Sequence, residues 1–224
     1  MIEQLKIDFV KIVESLELSN ENIETRKKNF NQFVKNGFPN KRIEDWKFSD
    51  LNQIISSNIE NLCFHSDLEL SKVDETIFID NFAHNKIVFL NGVISKIDFS
   101  QEDETKVLLT RDLNQNENFK EVNPLVSLNN ALIASYIRIT VKENYSLNKP
   151  LIIYNITTKE LRSTAINLKT DIILKKNSSL KLINLLDDNS ENNFINTTQN
   201  FDLAQDAILK SYKIDHKKNS NIKY

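Results

Sequence analysis

Glycine occurs only twice in these 224 residues and proline three times, which excludes collagen-like and glycine-rich low-complexity chains. The two glycines, Gly37 and Gly92, cannot build a G-x-G-x-x-G or Walker A loop. Nucleotide binding of the usual kinds is therefore excluded within this chain. A single cysteine, Cys63, forbids an intramolecular disulfide and fits a reducing compartment. No apolar run approaches the roughly 18 residues of a membrane span. The opening Met1-Ile2-Glu3-Gln4-Leu5-Lys6 lacks the basic start and continuous apolar core of a secretion signal, so the cytoplasm is the expected compartment. An excess of one charge is also missing. The 29 basic and 31 acidic residues leave a formal net charge of −2, a poor basis for non-specific binding to nucleic acid or a membrane surface.

What is present is ordinary for a globular protein: 40% hydrophobic and 27% charged residues. The length fits one large or two modest domains. The abundance of Asn, Lys and Ile reads as codon bias from an AT-rich genome, and the sequons at Asn144, Asn155, Asn177 and Asn196 are what chance gives in so Asn-rich a chain.

The first part of the chain has a helical period. Ile2, Leu5, Phe9, Ile12, Val13 and Leu16 share one face, with Glu3, Lys6, Lys11 and Glu14 on the other. A second helix is expected after Ser19 or Asn20, with Glu21 and Glu24 favoured by the dipole of its first turn. Its apolar side carries Ile23, Phe30, Phe33 and Val34. Gly37 supplies a left-handed position past its end, and Pro39 prevents continuation. A third helix is expected from Ser49, burying Leu51, Ile54 and Ile55. The polar stretch 63–75 reads as a boundary, giving a helical N-terminal domain over 1–75 and a second domain over 76–224.

Beyond Thr76 the period changes. Ile77-Phe78-Ile79 and Ile87-Val88-Phe89-Leu90 read as strands, and Asn91-Gly92 as a turn. Asn123-Pro124 predicts a cap for one helix over 125–133. Strands are then expected over 136–141, 151–157, 165–174, 179–186, 194–203 and 207–214, with polar connectors such as Lys175-Lys176-Asn177-Ser178 and Asp187-Asp188-Asn189-Ser190. With no helix between them, a βαβ sheet does not fit. An antiparallel sandwich and a β-solenoid both do.

Candidate chemistry is sparse. Cys63-x-His65 places two soft-metal ligand types on one side of an extended segment, but the rest of a four-ligand set is not evident. His84 and His216 stand far off in sequence. Glu44-Asp45, Glu102-Asp103-Glu104 and Asp187-Asp188 could include a glycosidase or lyase pair, although acids in polar connectors are mostly solvated turn residues. Lys213, Lys217, Lys218 and Lys223 form a basic C-terminal cluster with few stacking aromatics beyond Tyr212 and Tyr224, which reads as a solvated end. The most distinctive segment is 37–51, GFPNKRIEDWKFSDL, with the only Trp. On physical grounds alone it is a connector pinned by Trp46 and Phe48, with Arg42, Glu44 and Asp45 pairing locally.

That segment resembles the N-terminal signature of the SufD family of the SUF iron–sulfur cluster assembly machinery. The matching positions are Gly37, Phe38, Pro39, Lys41, Arg42, Glu44, Asp45, Trp46, Lys47, Phe48, Ser49 and Leu51. Upstream, Arg26, Phe30 and Phe33 resemble the family's Arg and aromatic positions. Downstream, Asn123-Pro124-Leu125-Val126-Ser127-Leu128-Asn129-Asn130-Ala131 and Lys149-Pro150-Leu151-Ile152 are similar to two further family segments. The chain departs from the pattern where Ala134-Ser135 and Glu143-Asn144 replace glycine-containing turns; Asn144 is the natural substitute where φ is positive.

The resemblance implies a helical N-terminal domain followed by a right-handed parallel β-helix, incomplete at the C-terminus. It implies a non-enzymatic scaffold subunit that pairs with a SufB-like subunit and a SufC-like ABC-type ATPase. The iron–sulfur cluster would be handled by the whole complex, with no cofactor bound by this part alone. Family members continue through more coils to a helical C-terminal domain, so this chain is expected to be partial, with no catalytic, metal or cluster-binding residue to carry over. The competing expectation is a β-helix or β-sandwich protein acting on or binding carbohydrate.

Overall fold

The computed structural model describes residues 1–66, 73, 75–111, 123–217 and 222–223. Helix α1 (Ile2–Ser15) and helix α2 (Asn20–Asn36) form where the apolar spacing predicts them. The Ser19 hydroxyl caps α2 by accepting from the Asn22 N–H. At the other end the Gly37 N–H donates to the Phe33 carbonyl at 2.7 Å. Gly37 sits at φ +69° and ψ −169°, so the chain leaves the helix extended and not in the left-handed helical well. Helix α3 (Leu51–Asn58) starts later than Ser49, because the Asp50 carboxylate is the cap, accepting from the Gln53 N–H at 2.9 Å.

The remaining elements are β1 (Asn85–Leu90), β2 (Val93–Asp98), the short helix α4 (Gln101–Glu104), β3 (Val107–Thr110), α5 (Pro124–Leu132), β4 (Tyr136–Val141), β5 (Leu151–Thr157), β6 (Ala165–Leu174), β7 (Ser179–Asp188), β8 (Phe194–Leu203), β9 (Ile208–Lys217) and β10 (Ile222–Lys223). The strands expected from 136 onward all form, β7 and β9 running further than expected. Asn123 caps α5, its side chain accepting from the Leu125 N–H, with Pro124 at the first position. Ile54, expected to be buried on α3, is 39% exposed, leaving Leu51 and Ile55 as the buried side of that helix, and Ile77-Phe78-Ile79, expected as a strand, is not one. A 3₁₀ turn spans Glu75–Ile77, and Ile77, Phe78 and Ile79 pack on a sheet face as irregular cover. A short apolar run looks the same from sequence whether it pairs or merely covers.

Among the described residues, ten strands make two sheets, ordered β2-β1-β5-β7-β9 and β10-β8-β6-β4-β3. From β4 to β10 each strand lies in the opposite sheet to the one before it. Every pairing between β1, β5, β7 and β9, and between β4, β6, β8 and β10, is parallel. Among the described residues only the outer pairs β1–β2 and β3–β4 are antiparallel. These registers exclude an all-antiparallel sandwich. The architecture is helices at the N-terminus followed by two mixed, predominantly parallel sheets.

With so little glycine, asparagine supplies the turns. Asn61, Asn91, Asn144, Asn177 and Asn192 all have φ between 51° and 56°, the left-handed region that Asn tolerates best among residues with a Cβ. Asn144 thus does what glycine would do at that turn.

The core is layered. Ile87, Phe89, Ile137, Ile139, Ile153, Ile172 and Leu182 fill the space between the two sheets. The outer face of the second sheet gives Ala165 and Phe194 to a cluster with Leu5, Phe33, Phe38, Ile55, Leu125 and Leu128 from the helices. The outer face of the first sheet gives Val88, Leu90, Ile152, Tyr154 and Ile156, covered by Ile77, Phe78 and Ile79.

Candidate functional site

The two ends of the segment after α2 are tied together, and its middle is open to water. The Leu51 N–H donates to the Pro39 carbonyl, and Trp46 packs partly buried against the helical cluster. Phe48, expected to pin the connector, is instead 88% exposed, with the Lys47 ammonium 5.2 Å from its ring centroid. No ion pair joins Arg42, Glu44 and Asp45 among the described residues. The turn leaves these side chains exposed to water, where pairing gains little.

Arg26 is nearly fully buried. Its guanidinium donates to the carbonyls of Ala131 and Ile133 at 3.0 and 2.9 Å, and to Asn22 Oδ1 at 3.1 Å. It therefore closes the C-terminal end of α5, where the helix dipole is negative. Burial draws its pKa down to about 10, which leaves it charged at neutral pH. Below α5, Asn129 Nδ2 bridges the Leu168 and Asn196 carbonyls, and the fully buried Lys169 donates to Asn130 Oδ1 at 2.8 Å. Polar groups thus pin α5 to the outer face of β6 and β8.

The histidines and Cys63 are not brought together as a metal centre. No group of three or more His, Cys, Asp or Glu side chains converges among the described residues. Cys63 bridges to Thr164, and its thiol is pushed up by burial and by Asp8, with Lys11 opposing. That direction disfavours a thiolate ligand or nucleophile. His84 is consumed structurally. The Tyr154 hydroxyl accepts from the Ile79 N–H and so donates to His84 Nε2 at 2.9 Å, leaving Nδ1–H for the Phe82 carbonyl.

The acidic pairs depart most from expectation. Asp103, Asp187 and Asp188 are buried side chains, not solvated turn residues. Asp103 accepts from Asn85, Ser100 and Tyr145 side chains and from the N–H groups of Asn148 and Lys149. Burial alone would raise its pKa, but these donors outweigh it and leave the carboxyl below the usual range. Tyr145, desolvated and donating to Asp103, is pushed up to about 12. Asp188 accepts from the Thr157 and Ser190 hydroxyls at 2.8 and 2.9 Å.

Asp187 meets His216, a residue 29 positions away that parallel pairing brings alongside it. His216 Nδ1 lies 2.9 Å from Asp187 Oδ1, and Asn189 Nδ2 donates to Oδ2 at 2.8 Å. The carboxylate is almost fully buried whereas the imidazole is 65% exposed. The pair stands in a cleft of about 720 Å³ on the outer face of the first sheet. Neither the separation in sequence nor the composition of the polar connector signals this pair; only the β7–β9 register does. In the C-terminal basic cluster, Lys213 lines a different cavity of about 280 Å³ with Asp215, Asn184 and Gln199, while Lys218 and Tyr224 lie outside the described residues.

No family model matches this chain, and no curated protein matches it either. Among the described residues, no helix is long and apolar enough to cross a membrane.

Proposed function

We propose that the two sheets are walls of a right-handed parallel β-helix and that the chain is a SufD-like, non-enzymatic scaffold subunit of cytoplasmic SUF iron–sulfur cluster assembly. The observation that carries this reading is the strand order. From β4 to β10 the chain alternates between sheets while pairing in parallel within each, as a coil with two strands per turn must. The helical entry agrees with it. The Arg26 position, which the resemblance singles out, ties α2 to α5, and α5 is the segment that also resembles the family. A SufB-like subunit and a SufC-like ATPase are the partners, and the cluster is the cargo of that assembly.

The test is genetic and biochemical. Deleting the gene should lower the activities of iron–sulfur enzymes in the cell, and restoring it should recover them. The native gene product should copurify with a SufB-like and a SufC-like protein. Unchanged iron–sulfur enzyme activities, or cleavage of a polyanionic glycan by the purified protein, would overturn the reading.

A further inference from the structure

The Asp187–His216 pair belongs to a row that crosses four strands. Leu90 of β1 is in register with Ile156 of β5, Ile156 with Asp187 of β7, and Asp187 with His216 of β9. Neighbouring strands lie about 4.8 Å apart, so the row runs about 14 Å from an apolar end to an imidazole. The parallel row two residues earlier places Leu185 beside Ile214, extending the apolar floor. All six side chains line the cleft, and Lys159 stands at its rim.

The charges are unevenly satisfied. Asp187 already has His216 and Asn189 as partners. Lys159 makes no hydrogen bond or ion pair among the described residues; its charge is felt by its neighbour Glu160, whose carboxylate is held mainly by its own backbone and by Thr158. With Nδ1 committed to Asp187, the imidazole has only Nε2 left, and Nε2 has no partner among the described residues. An apolar floor with a few fixed polar groups at one end is the usual form of a small-molecule site.

We propose that this cleft binds a small amphipathic monoanion, a carboxylate with an apolar body, its head between Lys159 and His216 and its tail over Ile156 and Leu90. The carboxylate accepts from the Lys159 ammonium, and from Nε2–H where His216 is an imidazolium whose Nδ1–H Asp187 holds from behind. Binding here is independent of the SUF reading, since neither the strand winding nor the partners enter the argument.

Calorimetric titration of the full chain with decanoate tests it. Saturable one-to-one binding is expected, with decyltrimethylammonium, which has the same tail and the opposite charge, failing to bind. Lys159→Glu, at an exposed position, should weaken decanoate about tenfold or more. Ile214→Trp should obstruct the floor with the same effect, and circular dichroism confirms that each variant is folded. Absence of saturable decanoate binding, equal binding of the cation, or unchanged affinity in both variants would overturn the proposal.

Discussion

Gly37 holds a backbone conformation that a Cβ strains, although no atom lies within 4 Å of where that Cβ would stand. The cost of Gly37→Ala is therefore conformational and should be about 1–3 kcal/mol, read as a lower urea midpoint at unchanged slope. Asn should not rescue it, since ψ is far from the left-handed helical well. Asn177→Gly, at φ 56°, should change stability by less than about 1 kcal/mol. The stop itself was legible in Gly37-Phe38-Pro39, whereas the buried state of Asp103 was not. An acid between two others reads as solvated, and its donors come from residues as distant as Tyr145 and Lys149. Because its folded pKa is depressed, Asp103 contributes stability that is present above the unfolded value of about 3.9. That contribution is lost as pH falls through the lower folded value. Urea denaturation between pH 7 and 2 should show an acid limb that Asp103→Asn, already less stable at pH 7, flattens. An unchanged limb in the variant would mean that other carboxylates carry the acid sensitivity.

At the scale of elements, α5 is where the helices and the sheets are joined. The helix was legible from its Asn123-Pro124 cap, and its packing partners were not. A nine-residue helix is too short to persist alone, so its stability comes from contacts that leave no local trace. Leu125 and Leu128 face the helical cluster, while Asn129 bonds to the carbonyls of β6 and β8. Arg26 closes its C-terminal end. Removing the guanidinium leaves the Ala131 and Ile133 carbonyls without these buried donors, so Arg26→Ala should cost about 3 kcal/mol or more. Arg26→Lys should recover only part of this, because an ammonium cannot reproduce the fork that reaches two carbonyls and Asn22 together. Lys27→Ala, one residue on and exposed, should stay within about 0.5 kcal/mol. Equal midpoints for Arg26→Ala and Lys27→Ala would remove Arg26 from this role.

Across the whole molecule the space between the sheets changes character along the winding. At β4 and β5 the inward side chains include Ile137, Ile139, Leu151 and Ile153, all buried in the shared core. At β8 and β9 they give way to Thr197, Gln199, Ser211, Lys213 and Asp215 around a cavity, with Asn184 and Gln199 joined by two 3.1 Å hydrogen bonds. Asn and Thr inside strands were visible in the sequence, but which of them face inward depends on register, and register is a property of the assembled sheets. β9 is also the last strand of its sheet in the described structure, and Ile208, Tyr212 and Ile214 stand exposed along it. Local stability should fall in the same direction, because opening a strand with few buried apolar contacts costs little. Hydrogen exchange on the full chain should show amides of β5 and β6 protected to near the global limit. Those of β9 should exchange orders of magnitude faster, at a rate independent of protein concentration. Protection of β9 that rises with concentration would show instead that its free edge pairs with another copy, the fate to which an exposed strand edge is prone.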